Sequence, residues 1–548
     1  MSILLRQSSN QPGPDAYDHW LAVTGTAAAL ETDRKLPNLA ERLEQAFVAE
    51  RETWWRLGFE LSSEPSAGVA HMPTAGSFGS DFGIMLAWSR LARELGEDET
   101  TITLMVCDDP WLFRHLQSFP GVDAGPAPAL ITQTVKLHLR GLAARCMAGL
   151  RAAQAALRLR HLRRGMGRGD AILLVYGHPA SDADGNDAYF GDLMRRFPDV
   201  KRLLHTDCSI SRAMELSADN RTASLHAWGS PLFAFVMMLC RWRPGGLHLS
   251  GPYGWLIRRS AALENSGGGP AMNRWQQHCQ SRWLREAKPD RVLWPWENHG
   301  WERSLCRTAR QQGVKTIGYQ HTVIGPHQFN YAAATNWDGA ASLPDRVIAD
   351  GPAYRDEMAA WGMPSERLEI GGAFRFERFP EGLYDPQGPV FVPLSAISSA
   401  AEAQLEAARA LSRRGRKVVV KPHPMYSVEF NEDDNLRRSD TPLAQQSELS
   451  AVLYTTGTSG LEAVLMGIPA YRLMLEDRIS IDVLPAGIIA LAVAKEDAAD
   501  SIMNGAIEPD QVSWDSVLSD VDISVWERML FGDINAAVSN SNQAKKAS

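Results

Sequence analysis

Val418-Val419-Val420-Lys421-Pro422-His423-Pro424 and Ala451-Val452-Leu453-Tyr454-Thr455-Thr456-Gly457-Thr458-Ser459-Gly460 lie about one βα unit apart and follow one pattern. In each, a short apolar run leads straight into residues that carry chemistry. Ligands of an open α/β sheet bind beyond the carboxyl ends of its strands, where both motifs fall. The second motif opens an apolar-periodic segment, 461–466, that closes on Gly467-Ile468-Pro469. Hydroxyl residues and glycines at a helix start present unpaired N–H groups and the positive end of the helix dipole, which suits a phosphate. His423, on the neighbouring strand end, adds a donor or a positive charge. Lys421, His423, Pro424, Thr456, Gly457, Thr458 and Ser459 thus read as a nucleotide-phosphate site for an activated donor. Glu462, one turn after Thr458, reads either as a partner for ribose hydroxyls or as a capping-box glutamate.

Working outward, the alternation continues on both sides of this unit. Strands are expected at 346–349, 368–370, 390–394, 417–420, 451–454, 470–473 and 488–493, with helices such as 400–413 and 460–466 between some of them. That pattern predicts a parallel, doubly wound sheet. Further strands are expected at 101–107, 171–176, 291–294 and 315–319, and helices at 82–94 and 301–312. The chain of 548 residues is too long for one core. The expected organisation is an N-terminal α/β domain with helical insertions at 1–340 and a nucleotide-donor domain at 341–515. A C-terminal helix follows in 516–548, with a disordered polar tail from 539.

Composition excludes several classes. Apolar content of 45%, charged content of 22% and a net charge of -8 describe an ordinary globular chain with no general affinity for nucleic acid. The six cysteines are scattered without a Cys-x-x-Cys pair, as expected for reduced thiols of a cytoplasmic protein. The N-terminus has no signal-peptide core, and the longest apolar run, 232–240, falls short of the roughly 20 residues that span a bilayer. No Asp-x-Asp stands at a strand end and the histidines lack ligand spacing, so no metal and no resident cofactor is expected.

Three loops in the first half follow strands directly: Gly177-His178-Pro179 running to Asp187–Asp192, then Trp296-Glu297-Asn298-His299-Gly300-Trp301-Glu302, and Gln320-His321 running to His327. Parallel strands would bring all three to one edge. Glu297, among Trp294, Trp296 and Trp301, reads either as the general base, its pKa raised by an aromatic, partly desolvated surround, or as a helix-start carboxylate complementing the dipole of the following helix. It is the expected catalytic residue. Asp187 is the runner-up, and Gln320 and His321 are candidates to bond a sugar or a phosphate. Residues 124–169 contain no acidic residue but nine basic ones, and they read as a basic amphipathic helix. Such a helix can lie on an anionic membrane surface or simply connect domains.

At Asp187–Asp192, Glu297–Glu302, Gly318-Tyr319-Gln320-His321, Lys421–Pro424 and Thr456–Glu462 the chain resembles bacterial surface-carbohydrate biosynthesis proteins. These are GT-B glycosyltransferases related to the capsule and lipopolysaccharide transferases for Kdo and sialic-acid-type sugars. The likeness covers residues 170–495, with an echo in Pro73-Thr74-Ala75-Gly76-Ser77. It implies two Rossmann-like domains facing across a cleft, and a metal-independent glycosyltransferase moving a CMP-activated nonulosonate or Kdo-type sugar. The acceptor implied is a cell-surface glycan, lipid-linked glycan or glycoprotein. It also implies that His423-Pro424 with Thr458 and Ser459 hold the CMP moiety. The relatives' paired-acid-Gly motif is absent here. Two other readings share these motifs: a CDP-polyol phosphotransferase of surface polymer synthesis, and a non-catalytic nucleotide- or glycan-binding protein. A peripheral contact with the inner membrane through 130–168 is a further expectation.

Overall fold

A computed structural model describes residues 2–24, 30, 32–75, 80–379, 384–423, 428–446, 448–505, 507 and 512–532. Pro424, Gly76, Ser77 and the tail from 539 lie outside the described residues. Three parallel sheets organise the chain. The first holds β1 (Ile3–Arg6), β2 (His19–Ala22), β3 (Thr103–Val106) and β4 (Val122–Ala124) in the order β2-β3-β1-β4.

The second sheet has seven strands: β5 (Ala171–Val175), β6 (Lys201–Leu204), β7 (Thr222–Ser224), β8 (Arg291–Pro295), β9 (Lys315–Gln320), β10 (Arg346–Ala349) and β11 (Leu368–Ile370). Their order, β11-β10-β9-β8-β5-β6-β7, runs outward one way from β5 and then the other way from β8. The strand order therefore reverses between β5 and β8. The third sheet repeats the plan with β12 (Val390–Pro393), β13 (Val418–Lys421), β14 (Leu436–Arg438), β15 (Ala451–Tyr454), β16 (Ala470–Leu473) and β17 (Leu491–Val493). Its order, β14-β13-β12-β15-β16-β17, is that of a dinucleotide-binding sheet and reverses between β12 and β15. Most central strands are buried on both faces, as Val390, Val418 and Leu453 on one side and Phe391 and Val452 on the other show, because helices cover each side.

This is the α/β, GT-B-like architecture expected from sequence, two doubly wound parallel sheets, with one correction to its boundaries. β10 and β11, assigned from sequence to the donor domain, are hydrogen-bonded onto β9 and complete the second sheet. The change of sheet therefore falls after Ile370, and the first 124 residues form a smaller sheet of their own. The C-terminal helix Ile523–Phe531 returns to the second sheet. Trp526 donates from Nε1 to the Gly371 carbonyl at 2.8 Å and packs edge-on against Tyr319.

The three units meet around Arg472 and His327. Arg472, on β16, makes a two-pronged ion pair with Glu44 of the N-terminal helix Leu39–Ala49, at 2.7 Å for each bond. His327 of the middle unit accepts from the Asp482 N–H at 3.0 Å and packs edge-on against Phe47.

Candidate active site

The loops after β5, β8 and β9 do converge on one edge, and they flank the place where the strand order reverses. The Glu297 carboxylate bonds His299 Nε2 at 3.0 Å and lies 3.9 Å from His321 Nε2. The Tyr189 ring meets His321 edge-on at 5.1 Å, and His178 meets Tyr189 at 6.0 Å. The turn carrying Glu297 is locked from behind. Asn298, fully buried at φ +62°, donates to the Asn330 carbonyl and to Asn336 Oδ1. Glu302, in the first turn of the helix Gly300–Gln311, reaches back to accept from the Glu297 and Asn298 N–H groups.

Electrostatics here differ from expectation. Burial pushes the Glu297 carboxyl up, but the His299 bond and the charges of His299, His321 and Arg375 outweigh it and hold it at about 2. Glu297 is thus an ionised carboxylate with its side chain one-third exposed, not a carboxyl with a raised pKa. His299 is correspondingly raised despite its burial, through its bond to Glu297. His321 is pushed down to about 4 by burial and is neutral near pH 7. Within the same turn it is Glu302 whose carboxyl is raised, to about 7, through burial. The tryptophans are not a stacking surface: Trp294 and Trp296 are fully buried, and Trp301 is nearly so against His205.

Asp187 does not face the cleft. It is buried, accepts from the Tyr189 and Phe190 N–H groups and the Ser181 hydroxyl, and lies 3.7 Å from buried Arg202. Its carboxylate shapes the turn that carries Tyr189. Gln320 is likewise turned inward, accepting from the Asp350 N–H at 2.9 Å. His327 leaves this edge for the junction described above.

The phosphate motifs border a cavity of about 570 Å³ at the reversal point of the third sheet. Lys421 and His423 from the end of β13, and Thr456, Gly457, Thr458, Ser459 and Glu462 after β15, face the loop Leu394–Ile397 after β12. Gly460 permits this shape, since a Cβ there would sit 2.2 Å from the Tyr454 ring. The Tyr454 hydroxyl, buried at the cavity wall, has no hydrogen-bond partner among the described residues. Thr458 donates its hydroxyl to Glu462 at 2.7 Å, a side-chain pairing in place of a capping box. The Thr456 hydroxyl accepts from the Ile481 N–H. Burial, and then the Lys421 charge, lower the His423 pKa and favour the neutral imidazole. Ile397 and Thr456 also line a second cavity of about 430 Å³ that opens toward Thr24, Asp81 and Arg259 of the N-terminal half.

Arg375 is the residue that motif reading missed. It follows Gly371-Gly372 in the link between the second and third sheets, where Gly372 has φ +84° and a Cβ would meet the Asp520 carbonyl at 2.2 Å. Its charge acts on Glu297 and His321 on one side and on Glu462 on the other. Arg375 also lies over the Tyr189 ring at 5.9 Å. The two halves of the site are therefore within electrostatic reach of one guanidinium. Among the described residues no cluster of three or more His, Cys, Asp or Glu side chains is arranged to hold a metal ion, and all six cysteines are unpaired.

No protein-family model matches the sequence, and no curated protein does. Among solved structures the chain is similar to Arabidopsis thaliana UGT89C1 complexed with quercetin, at 14% identity and a TM-score of 0.38 over 61% of this chain and 89% of that one. It is also similar to the lipopolysaccharide outer core galactosyltransferase WaaB, at 11% identity and a TM-score of 0.33 over 68% and 99%. A third is Anabaena Alr3699/HepE in complex with UDP, at 12% identity and a TM-score of 0.34 over 68% and 99%. The likeness is partial and concerns the fold. It does not bear on what this chain binds.

Proposed function

We propose that the chain is a metal-independent GT-B glycosyltransferase of surface-glycan assembly that acts on the cytoplasmic side of the membrane. Its proposed donor is a CMP-activated nonulosonate or Kdo-type sugar. The observation that carries the reading is the cavity of about 570 Å³ at the reversal point of the third sheet, lined by Lys421, His423, Thr458 and Ser459. Arg375 links it electrostatically to the Glu297 edge. In this reading Lys421 and His423 hold the donor phosphate and stabilise the charge that grows on it as the sugar–phosphate bond breaks. Glu297, already ionised, takes the proton of the acceptor hydroxyl as that oxygen bonds the anomeric carbon. CMP leaves with the electron pair of the broken bond, and Arg375 compensates charge between the two centres.

Calorimetric titration with CMP, CDP, UDP and GDP in EDTA tests the donor. CMP should bind most tightly; tighter binding of UDP or GDP would overturn the CMP assignment. Mass spectrometry of the product tests the reaction, since a polyol-phosphate transferase would leave phosphorus in the new linkage. Slow hydrolysis of the CMP-sugar in the absence of acceptor is expected, and its absence would favour a non-catalytic binding protein.

A further inference from the structure

The helix Leu130–Arg158 has three distinct faces. Its packed face is built from small residues: a Cβ on Gly141 would lie 2.0 Å from the Asn265 carbonyl oxygen, and one on Gly149 would lie 2.8 Å from that of Ala234. Ala152, Ala155 and Ala156 are buried beside them. Leu137 and Arg145 are buried on that face too, but most of the larger apolar side chains point the other way. Ile131 is 80% exposed, Leu139 64% and Leu157 63%, with Val135, Leu142 and Leu150 also exposed. At 3.6 residues per turn these six fall within an arc of roughly 100°. Lys136, Arg140, Arg151 and Arg158, all exposed, form the adjoining stripe.

The neighbouring helix Pro231–Met237, packed on this one, repeats the arrangement. Leu232 and Leu239 are 79% and 77% exposed, and Phe235 and Val236 are exposed beside them. Residues 220–263, which contain this second helix, have no Asp or Glu; of their arginines Arg243 and Arg258 are exposed, whereas Arg259 is buried and paired with Asp81 and Asp109. Two acid-free, arginine-bearing segments are therefore packed together in a chain whose net charge is -8. A surface in water gains nothing by turning leucines outward and alanines inward. An interfacial helix does, with its apolar side chains among acyl chains and its arginines at the headgroups.

We propose that this face, formed by Leu130–Arg158 and Pro231–Met237, docks the protein on an anionic bilayer surface. The complementary charge names the occupant: headgroups bearing negative charge are attracted by each basic residue held near the surface. The contact is peripheral, because among the described residues no helix is long and apolar enough to cross a membrane. The inference stands apart from the nucleotide reading and uses none of its residues.

Flotation of the full chain with phosphatidylcholine vesicles, with and without phosphatidylglycerol, tests it. The protein should float with phosphatidylglycerol vesicles at least about tenfold more tightly than with phosphatidylcholine alone, and high salt should weaken that binding. Leu139→Ser/Leu142→Ser and Arg140→Glu/Arg151→Glu should each abolish flotation while leaving circular dichroism and nucleotide affinity unchanged, because these side chains are exposed. No binding to anionic vesicles, or binding that survives both double variants, would overturn the proposal. So would a dimer in light scattering that the leucine variant dissolves without any vesicle binding in the parent, since a second copy would then cover the face.

Discussion

Glu297 acts through the company it keeps. Its carboxylate is ionised because His299 bonds it and Arg375 adds positive charge. A positioned base contributes about 100- to 10,000-fold to rate, so Glu297→Gln should lose at least the lower factor in turnover while nucleotide affinity stays unchanged. Retained turnover would remove Glu297 from the mechanism. The same pair makes a stability prediction. His299 has a folded pKa above its unfolded value, so its contribution is fully present below about pH 6.5 and is lost as pH rises through the folded value. His299→Gln should therefore cost most stability near pH 6 and progressively less toward alkaline pH, measured as urea midpoints across that range. A gap that widens with pH would contradict the pairing. Of the residues here, Glu297, His299 and His321 were legible as strand-end residues of suggestive type. Their mutual geometry was not, because it depends on β5, β8 and β9 lying side by side. Trp296 misled for the same reason: at a strand end its sequence cannot distinguish a ring facing the cleft from one filling the core against Tyr331. Arg375 carries no motif, and only its place between two sheets gives it a role.

At the scale of elements, the third sheet was readable because buried parallel strands are continuous apolar runs, as at Val418-Val419-Val420 and Ala451–Tyr454. β6 and β14 were not, because Lys201-Arg202-Leu203-Leu204 and Leu436-Arg437-Arg438 lack that signal. Arg202 is wholly buried, held by the Asp182 carbonyl, the Thr222 hydroxyl and Asp219. The sheet boundary after Ile370 left no mark because the βα rhythm runs across it unbroken. The motif helix Ser459–Leu465 makes its own prediction. A methyl at Gly460 would collide with the Tyr454 ring, which lines the cavity. Overpacking of this kind costs about 1–3 kcal/mol. Gly460→Ala should lower the melting temperature and weaken nucleotide binding together; loss of neither would show that the helix does not sit as described.

Across the whole molecule, three sheets are joined by a buried ion pair, Glu44 with Arg472, beside the His327 contact. Removing one partner of a buried pair leaves an uncompensated charge and costs about 3–5 kcal/mol. Glu44→Ala should destabilise by that order in urea titration, and adding Arg472→Met should restore part of it. A double-variant loss equal to the sum of the two single losses would show that the pair is uncoupled. The central claim concerns the cavity between β12 and β15, and calorimetric titration of CMP into the parent chain and into His423→Ala in EDTA tests it most directly. His423 contributes a charge-assisted bond of about 1.5–3 kcal/mol to a bound phosphate, so the variant should bind at least about tenfold more weakly. Because a phosphate partner raises a pKa that burial and Lys421 hold down, while the CMP phosphate itself takes up a proton near pH 6, the parent's affinity should fall less steeply than the variant's as pH falls toward 6. Affinity unchanged within twofold in His423→Ala, with the same pH dependence as the parent, would place the nucleotide elsewhere and contradict the account.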